Sequence, residues 1–290
     1  MASTVMSAPA PTQPDAPVAA PTARRRGKSR YVLRTIAVVY LFFLLILPVG
    51  LIFWRTFEHG VGPVITSLTD PAALHAMYLT ALIAVIAVIA NTIFGVGASV
   101  LIVRHRFPGR RLLDALIDLP LAVSPVVVGL ALTLVYGLRA PVGSWLAGIG
   151  VQIIFSLPGM VLATIFVSMP LVVRAVVPVL EEIGTEQEQS AWTLGSSPLT
   201  TFRRITLPSI RWALAYGVVL ALARCLGEYG AVAVVSGRIV GQTQTLTLLV
   251  EQDFDNFDQA GAFAAAALLA VLAVAILLLI GLLKPKEGQR

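Results

Sequence analysis

The stretch "EEIGTEQEQSAWTLGSSPLTTFRRITLP", Glu181–Pro208, decides how the rest of the chain is read. It is polar and carries its own punctuation, yet it stands between two long apolar runs. Thr185 and Glu188 have the spacing of a capping box, which predicts a helix start. Ala191, Trp192 and Leu194 give that helix a short apolar edge. Gly195 stands where a helix commonly stops in a left-handed conformation. Ser197 followed by Pro198 predicts a second start, a hydroxyl cap with proline at the first helical position. Leu199, Phe202 and Ile205 then fall three apart on one face, away from Arg203 and Arg204, and Pro208 is expected to end the unit. The pattern is helix, glycine turn, helix. From the residues alone two readings stand: a hairpin resting on a membrane surface, or a docking element for a partner.

The surroundings are those of a membrane protein. The chain has 290 residues, 57% hydrophobic and 12% charged, with a mean hydropathy of +0.87. Soluble domains carry about 25% charged residues. Runs of about 20 apolar residues cross a bilayer core as helices, because helices satisfy their own backbone in lipid. Six are predicted: Thr35–Trp54, Ala76–Val103, Leu112–Tyr136, Phe155–Val177, Trp212–Ser236 and Gly261–Leu283. The fold class is therefore an all-α polytopic membrane protein.

Charge sets the expected topology. Most of the 21 lysines and arginines fall in four segments on one side. These hold Arg24, Arg25, Arg26, Lys28, Arg30 and Arg34; Arg104, Arg106, Arg110 and Arg111; Arg203, Arg204 and Arg211; and Lys284, Lys286 and Arg290. The positive-inside rule places them, both termini and Glu181–Pro208 in the cytoplasm. Residues 1–30, rich in Pro, Ala and Thr, read as a disordered cytoplasmic tail. The first apolar run reads as an uncleaved anchor. The cations are scattered without aromatic interleaving, so no nucleic-acid partner is expected. Gly27–Ser29 resembles the end of a phosphate-binding loop, but Thr22 occupies the position that needs glycine. His59, His75 and His105 have no metal-ligand spacing. The lone Cys225 excludes an intrachain disulfide.

The residues "QSAWTLGSSPLTTFRRITLP" resemble the EAA loop of permease subunits in ATP-binding-cassette importers. Gly195 is followed at the family spacing by Ile205, Leu207 and Pro208, while the usual triplet is Gln189-Ser190-Ala191 and Glu188 stands one position early. The stretches "DLPLAVSPVVVGLAL", "LPGMVLATIFVSMPLVVR" and "GEYGAVAVVSGRIVGQTQTLTLLVE" narrow the resemblance to sulfate permeases of the CysW type, with molybdate and tungstate permeases as the close competitor. The resemblance implies a type I importer transmembrane fold over residues 31–290, with a coupling loop near 181–208. It also implies a second, CysT-type permease, two ATPase subunits that carry ATP and Mg, and an extracytoplasmic sulfate-binding protein. The chain itself would hold no cofactor and catalyse no covalent step. Coupling to the ATPase falls on Glu188, Gln189, Ser190, Ala191, Trp192, Gly195, Phe202, Ile205 and Pro208. Trp192 and Phe202 are expected near the ATPase groove.

Within the spans, Arg224 and Glu228 are four apart and can pair on one helical face, as a structural pair, a gate or an anion contact. Gly227 and Gly230 beside them allow close packing or unwinding. Ser124 and Pro125, with Pro120, predict a kink or break in the third span, either for packing or to line a cavity. Asp114 and Asp118, near the cytoplasmic entrance of that span, are expected to be interfacial or to pair with Arg110 or Arg111, rather than to form a proton relay. An ion-coupled secondary transporter is the remaining alternative; it calls for charges deep in several spans and leaves the hairpin pattern unexplained.

Overall fold

The computed structural model describes residues 27–283. Most of the tail predicted for residues 1–30, with Arg24, Arg25 and Arg26, lies outside the described residues, as do Lys284, Lys286 and Arg290. Among the described residues the structure is helical, with no strand. Contacts divide it into two compact units, with the boundary between Pro48 and Val49. The first unit holds α1 (Gly27–Leu41) and a π-helical turn (Phe42–Ile46). The boundary falls at the start of α2 (Leu47–Phe57), so a single apolar run, Tyr31–Phe57, carries through it.

The second unit contains α3 (Val61–Thr69), α4 (Pro71–Arg104), α5 (Arg110–Ala122), α6 (Pro125–Tyr136), α7 (Pro141–Gly148) and α8 (Leu157–Ile183). The short α9 (Glu186–Thr193) and α10 (Pro198–Thr201) follow, then a π turn (Phe202–Thr206) and α11 (Leu207–Leu226). The chain closes with α12 (Gly230–Val235), α13 (Leu246–Asp255) and α14 (Gln259–Leu283). Among the described residues five runs are long and apolar enough to cross a membrane, and a sixth results if α5 and α6 count as one broken span.

The long helices α4, α8 and α11 form the centre. Val96, Val172, Val176, Leu180, Ile210 and Ala221 fill one buried cluster between them. A polar link lies deeper: Asn91 donates to the Ser168 hydroxyl at 2.7 Å, and the Cys225 thiol donates to the same oxygen at 3.3 Å. Such hydrogen bonds fix helix register where lipid offers no hydrophobic drive. A second cluster joins α4, α6, α8, α12 and α13 through Ile83, Val128, Met160, Val232 and Leu248.

Three boundaries differ from the sequence reading. Pro208 does not end the hairpin unit, because the helix runs unbroken from Pro198 to Leu226. Proline cannot donate to the carbonyl four residues back, and its ring crowds that carbonyl. The π turn just before it widens the helix instead, and the Leu207 N–H reaches back to Phe202 O. The same device precedes Pro48, where Leu47 N–H reaches Phe42 O. The third predicted span, Leu112–Tyr136, is not one rod: α5 and α6 meet at 114° across Val123 and Ser124. Pro125 starts α6 as an N1 proline, which forces its predecessor out of the helical region, and Ser124 has ψ 135°. Finally, the fifth span stops at Leu226, not Ser236, and α12 resumes after a break at Gly227–Tyr229.

Candidate functional site

Hairpin geometry comes first. The turn after α9 closes with two backbone bonds: Ser196 N–H to Ala191 O and Gly195 N–H to Trp192 O, both 3.0 Å. This pair is a Schellman motif, which needs a left-handed residue at its corner. Gly195 supplies it with φ +82°. Ser197 then caps α10 by accepting from Thr200 N–H at 3.3 Å, with Pro198 in the first turn. At the tip, Trp192 is 51% exposed, Leu194 88% and Leu199 66%. Three large apolar side chains are thus bared on one knuckle, a surface of the kind that a partner protein or a membrane covers.

The base of the knuckle is buried. Glu188 is only 7% exposed. One carboxylate oxygen forms an ion pair with Arg104 Nε of α4 at 2.8 Å. The other accepts from the Thr206 hydroxyl, at the entry to α11, at 2.7 Å. Arg104 Nη1 also donates to Leu180 O of α8 at 3.0 Å. The Glu188 carboxylate thus staples α9 to α4 and to the entry of α11, and Arg104 extends the link to α8.

At the far end of α11 the two helix breaks touch. Arg224 and Glu228 are paired at 2.5 Å. Glu228 is buried, and its Oε1 accepts from Ala231 N–H at 2.8 Å, so it also caps α12. Its carbonyl accepts from the Thr247 hydroxyl of α13 at 3.0 Å. Tyr229 donates to Glu251, which forms an ion pair with Arg238 at 3.1 Å. Gly230 lies against Pro125 at the start of α6, where an added Cβ would stand 3.1 Å from the proline Cβ. Ser124 is exposed, and its side chain makes no cap bond. The breaks after α5 and α11 therefore form one joint, held by Glu228 and α13.

A third polar group lies between α5 and α8. Arg174 Nε donates to Asp118 at 2.6 Å and Nη2 to Asp114 at 2.9 Å, with a further short contact to Asp118. Beside α13, burial pushes the Asp253 carboxyl up to about 6, with Asp258 and Asp70 adding repulsion. Among the described residues no cluster of His, Cys, Asp or Glu could hold a metal ion.

With this geometry in place, the comparisons with known proteins are specific. The family described as "Binding-protein-dependent transport system inner membrane component" matches residues 91–288. A protein named "Sulfate transport system permease protein CysW" in Synechocystis sp. is 48% identical over 90% of this chain and 95% of its own length. The protein of the same name in Escherichia coli K12 is 50% identical over 83% of each chain. The chain belongs to the CysW-type permease family. It is a non-catalytic transport component, an inner-membrane permease of the ATP-binding-cassette importer class. A bacterial alginate ABC transporter, solved in complex with an alginate-bound periplasmic protein, superposes with a TM-score of 0.73 at 17% identity, over 87% of this chain and 92% of that one; this likeness shows the fold.

Several sequence-predicted residues of the permease need correction. The capping box is not formed: Thr185 makes no cap bond, its hydroxyl instead accepting from Gln189, while Glu188 turns inward. Gln189 and Ser190 are exposed on α9, and Ala191 is half-buried. Trp192 faces outward, but Phe202 packs against the cluster of Leu180 and Ile210, so it is part of the foundation, not the tip. Ile205 is half-buried and Pro208 exposed. Asp114 and Asp118 pair with Arg174; Arg110 instead approaches Glu181 at 4.0 Å. Arg104, Thr206 and Arg174 escaped the sequence reading because their partners lie on other helices. For Arg174, though, an arginine inside an apolar span was itself a signal.

Proposed function

We propose that the chain is one of two permease subunits of an ATP-driven importer for sulfate or thiosulfate, paired with a CysT-type chain. Two ATPases, which carry ATP and Mg, serve it from the side of the α9–α10 knuckle, and an extracytoplasmic binding protein delivers the anion to the opposite side. The reading is carried by one observation: a solvent-bared apolar knuckle rooted by the buried Glu188 in α4, α8 and α11.

That arrangement supports a simple mechanism. Trp192, Leu194 and Leu199 seat in a groove of the ATPase. Closure of the ATPase pair moves the knuckle, and the knuckle cannot slide alone because Glu188 holds it to the helix ends. The motion passes to α4, α8 and α11 as rigid rods. It arrives at the joint of the two broken helices, where non-helical residues absorb the change of angle. The substrate reading rests on the two CysW relatives, and sulfate and thiosulfate share a tetrahedral, doubly charged form.

Reconstitution with the partner subunits tests this. Liposomes holding ATP should accumulate labelled sulfate from the loaded binding protein, and excess thiosulfate should compete more strongly than molybdate. Preferential accumulation of molybdate would replace the substrate, and accumulation without ATP would remove the mechanism.

A further inference from the structure

Arg174 and its two carboxylates have no part in rooting the knuckle or in the joint, yet Asp114 and Asp118 are the most open carboxylates among the ion pairs at membrane depth, and Arg174 is as open as Arg224. Arg174 lies about 13 Å along α8 from Ile183, and Asp118 about 12 Å along α5 from Arg110, at 1.5 Å per residue. Both distances are measured from the end of the molecule that carries the knuckle. On this chain the Arg174 side chain is 36% exposed and those of Asp114 and Asp118 are 43% and 46% exposed. The carboxylates of the other two intramembrane or near-membrane pairs, Glu188 and Glu228, are 9% and 2% exposed. Charged groups at such depth do not face lipid. The triad must therefore face water or another subunit once the complex forms. One guanidinium against two carboxylates leaves a net charge of −1. A water-filled pathway accommodates that excess by itself, whereas a dry subunit interface would need a cation from the partner.

Helix α5 has 13 residues and is bounded by Gly109, at φ +93°, and by the non-helical Val123 and Ser124. Neither neighbouring segment continues its helix, and Ile117 seats it against α4 and α8. Arg174 sits on α8, a 27-residue rod that ends at the knuckle.

We propose that Arg174, Asp114 and Asp118 form a charge gate on the knuckle side of the pathway. While the gate is shut, Asp114 and Asp118 cover the guanidinium and present negative charge to an approaching dianion. When α5 moves off α8, Arg174 is uncovered and becomes the counter-charge that the anion meets on its way out. The inference rests on reading the chain as a dianion permease, and assigns that reading a specific cation and a specific barrier.

The test uses the complete complex in liposomes. Wild type is compared with Asp114→Asn, Asp118→Asn, the Asp114→Asn/Asp118→Asn double variant, and the triple variant that adds Arg174→Gln. Two rates are read: ATP-independent efflux of preloaded sulfate and ATP-driven uptake. The gate predicts that efflux rises at least threefold in the double variant. In the triple variant efflux should fall back toward wild type, and uptake should fall more than tenfold while ATP hydrolysis stimulated by the binding protein persists. Efflux equal to wild type in all variants overturns the proposal, as does full uptake by the triple variant. Failure of even the single Asp→Asn variants to assemble with the second permease also overturns it, since the triad is then a subunit contact. Wild-type uptake of sulfate is measured in the same preparations. If it is absent, the functional reading has failed; if it is present while the variants behave as wild type, only the gate has.

Discussion

Glu188 carries more of this account than any other residue. Replacing it with alanine leaves Arg104 buried without its counter-charge and the Thr206 hydroxyl without an acceptor. Breaking a buried ion pair from one side costs about 3–5 kcal/mol, while removing both charges together is far milder. Glu188→Ala should therefore lower ATP-driven uptake by more than tenfold, and Glu188→Leu with Arg104→Met should recover part of it. Uptake by the single variant at the wild-type rate would show that the staple transmits nothing. Gly195 acts through backbone shape alone, for nothing lies within 4 Å of where its Cβ would stand. A side chain there costs about 1–2 kcal/mol of left-handed strain, too little to unfold the permease. Gly195→Asp should leave insertion intact while the ATPase fails to co-purify with the membrane complex. At this scale the sequence was legible wherever partners are neighbours: Gly195 and Ser197 obey local capping rules that span a few residues. Glu188 was misread as the second half of a capping box because its true partners, Arg104 and Thr206, are brought to it only by the packing of α4 and α11. Arg174 was missed for the same reason, its partners lying 56 and 60 residues away.

Among the elements, the joint of broken helices sets the sharpest constraint. Gly129 of α6 faces α12 so closely that an added Cβ would stand 2.7 Å from the Val234 Cβ and 2.8 Å from Ala231 O. Backbone on one side of that contact cannot retreat cheaply, and overpacking typically costs about 1–3 kcal/mol. Gly129→Val should lower the temperature of heat inactivation of the detergent-purified complex; an unchanged midpoint would show that α6 and α12 yield to each other. Helix α13 adds a pH dependence. The Asp253 carboxyl has its folded value raised from 3.8 to about 6 by burial and by Asp258 and Asp70. The folded state thus holds a proton that the unfolded chain releases, so stability rises as pH falls through about 6 and is lower above it. Protection factors of the α13 amides, measured against intrinsic exchange at each pH, should rise between pH 7.5 and pH 5, and Asp253→Asn should raise them at pH 7.5 and flatten the response. Lower protection factors at pH 5 would reverse the sign. Proline spacing announced an interruption in the third span, but the 114° turn depends on α6 docking against α12, which no local pattern encodes. The two π turns were equally hidden: Leu-Pro inside an apolar run reads as a stop, whereas a widened turn lets the helix continue.

For the molecule as a whole, we propose that ATP hydrolysis in a partner is transmitted through the knuckle to move a tetrahedral dianion inward. Sidedness comes first, because the knuckle must face the compartment that holds the ATPase. In a Cys225→Ser background, Ser197→Cys should resist impermeant thiol reagents applied to intact cells and react after the membrane is opened. Reaction from outside intact cells would invert the topology. The measurement that reaches the claim most directly is sulfate accumulation by the reconstituted complex, with loaded binding protein outside and ATP inside, after ionophores have collapsed every ion gradient. The account predicts that accumulation continues, stops when ATP is withheld, and is lost in Gly195→Asp. Accumulation that ends with the ionophores and ignores ATP would contradict it, and would make the chain an ion-coupled carrier.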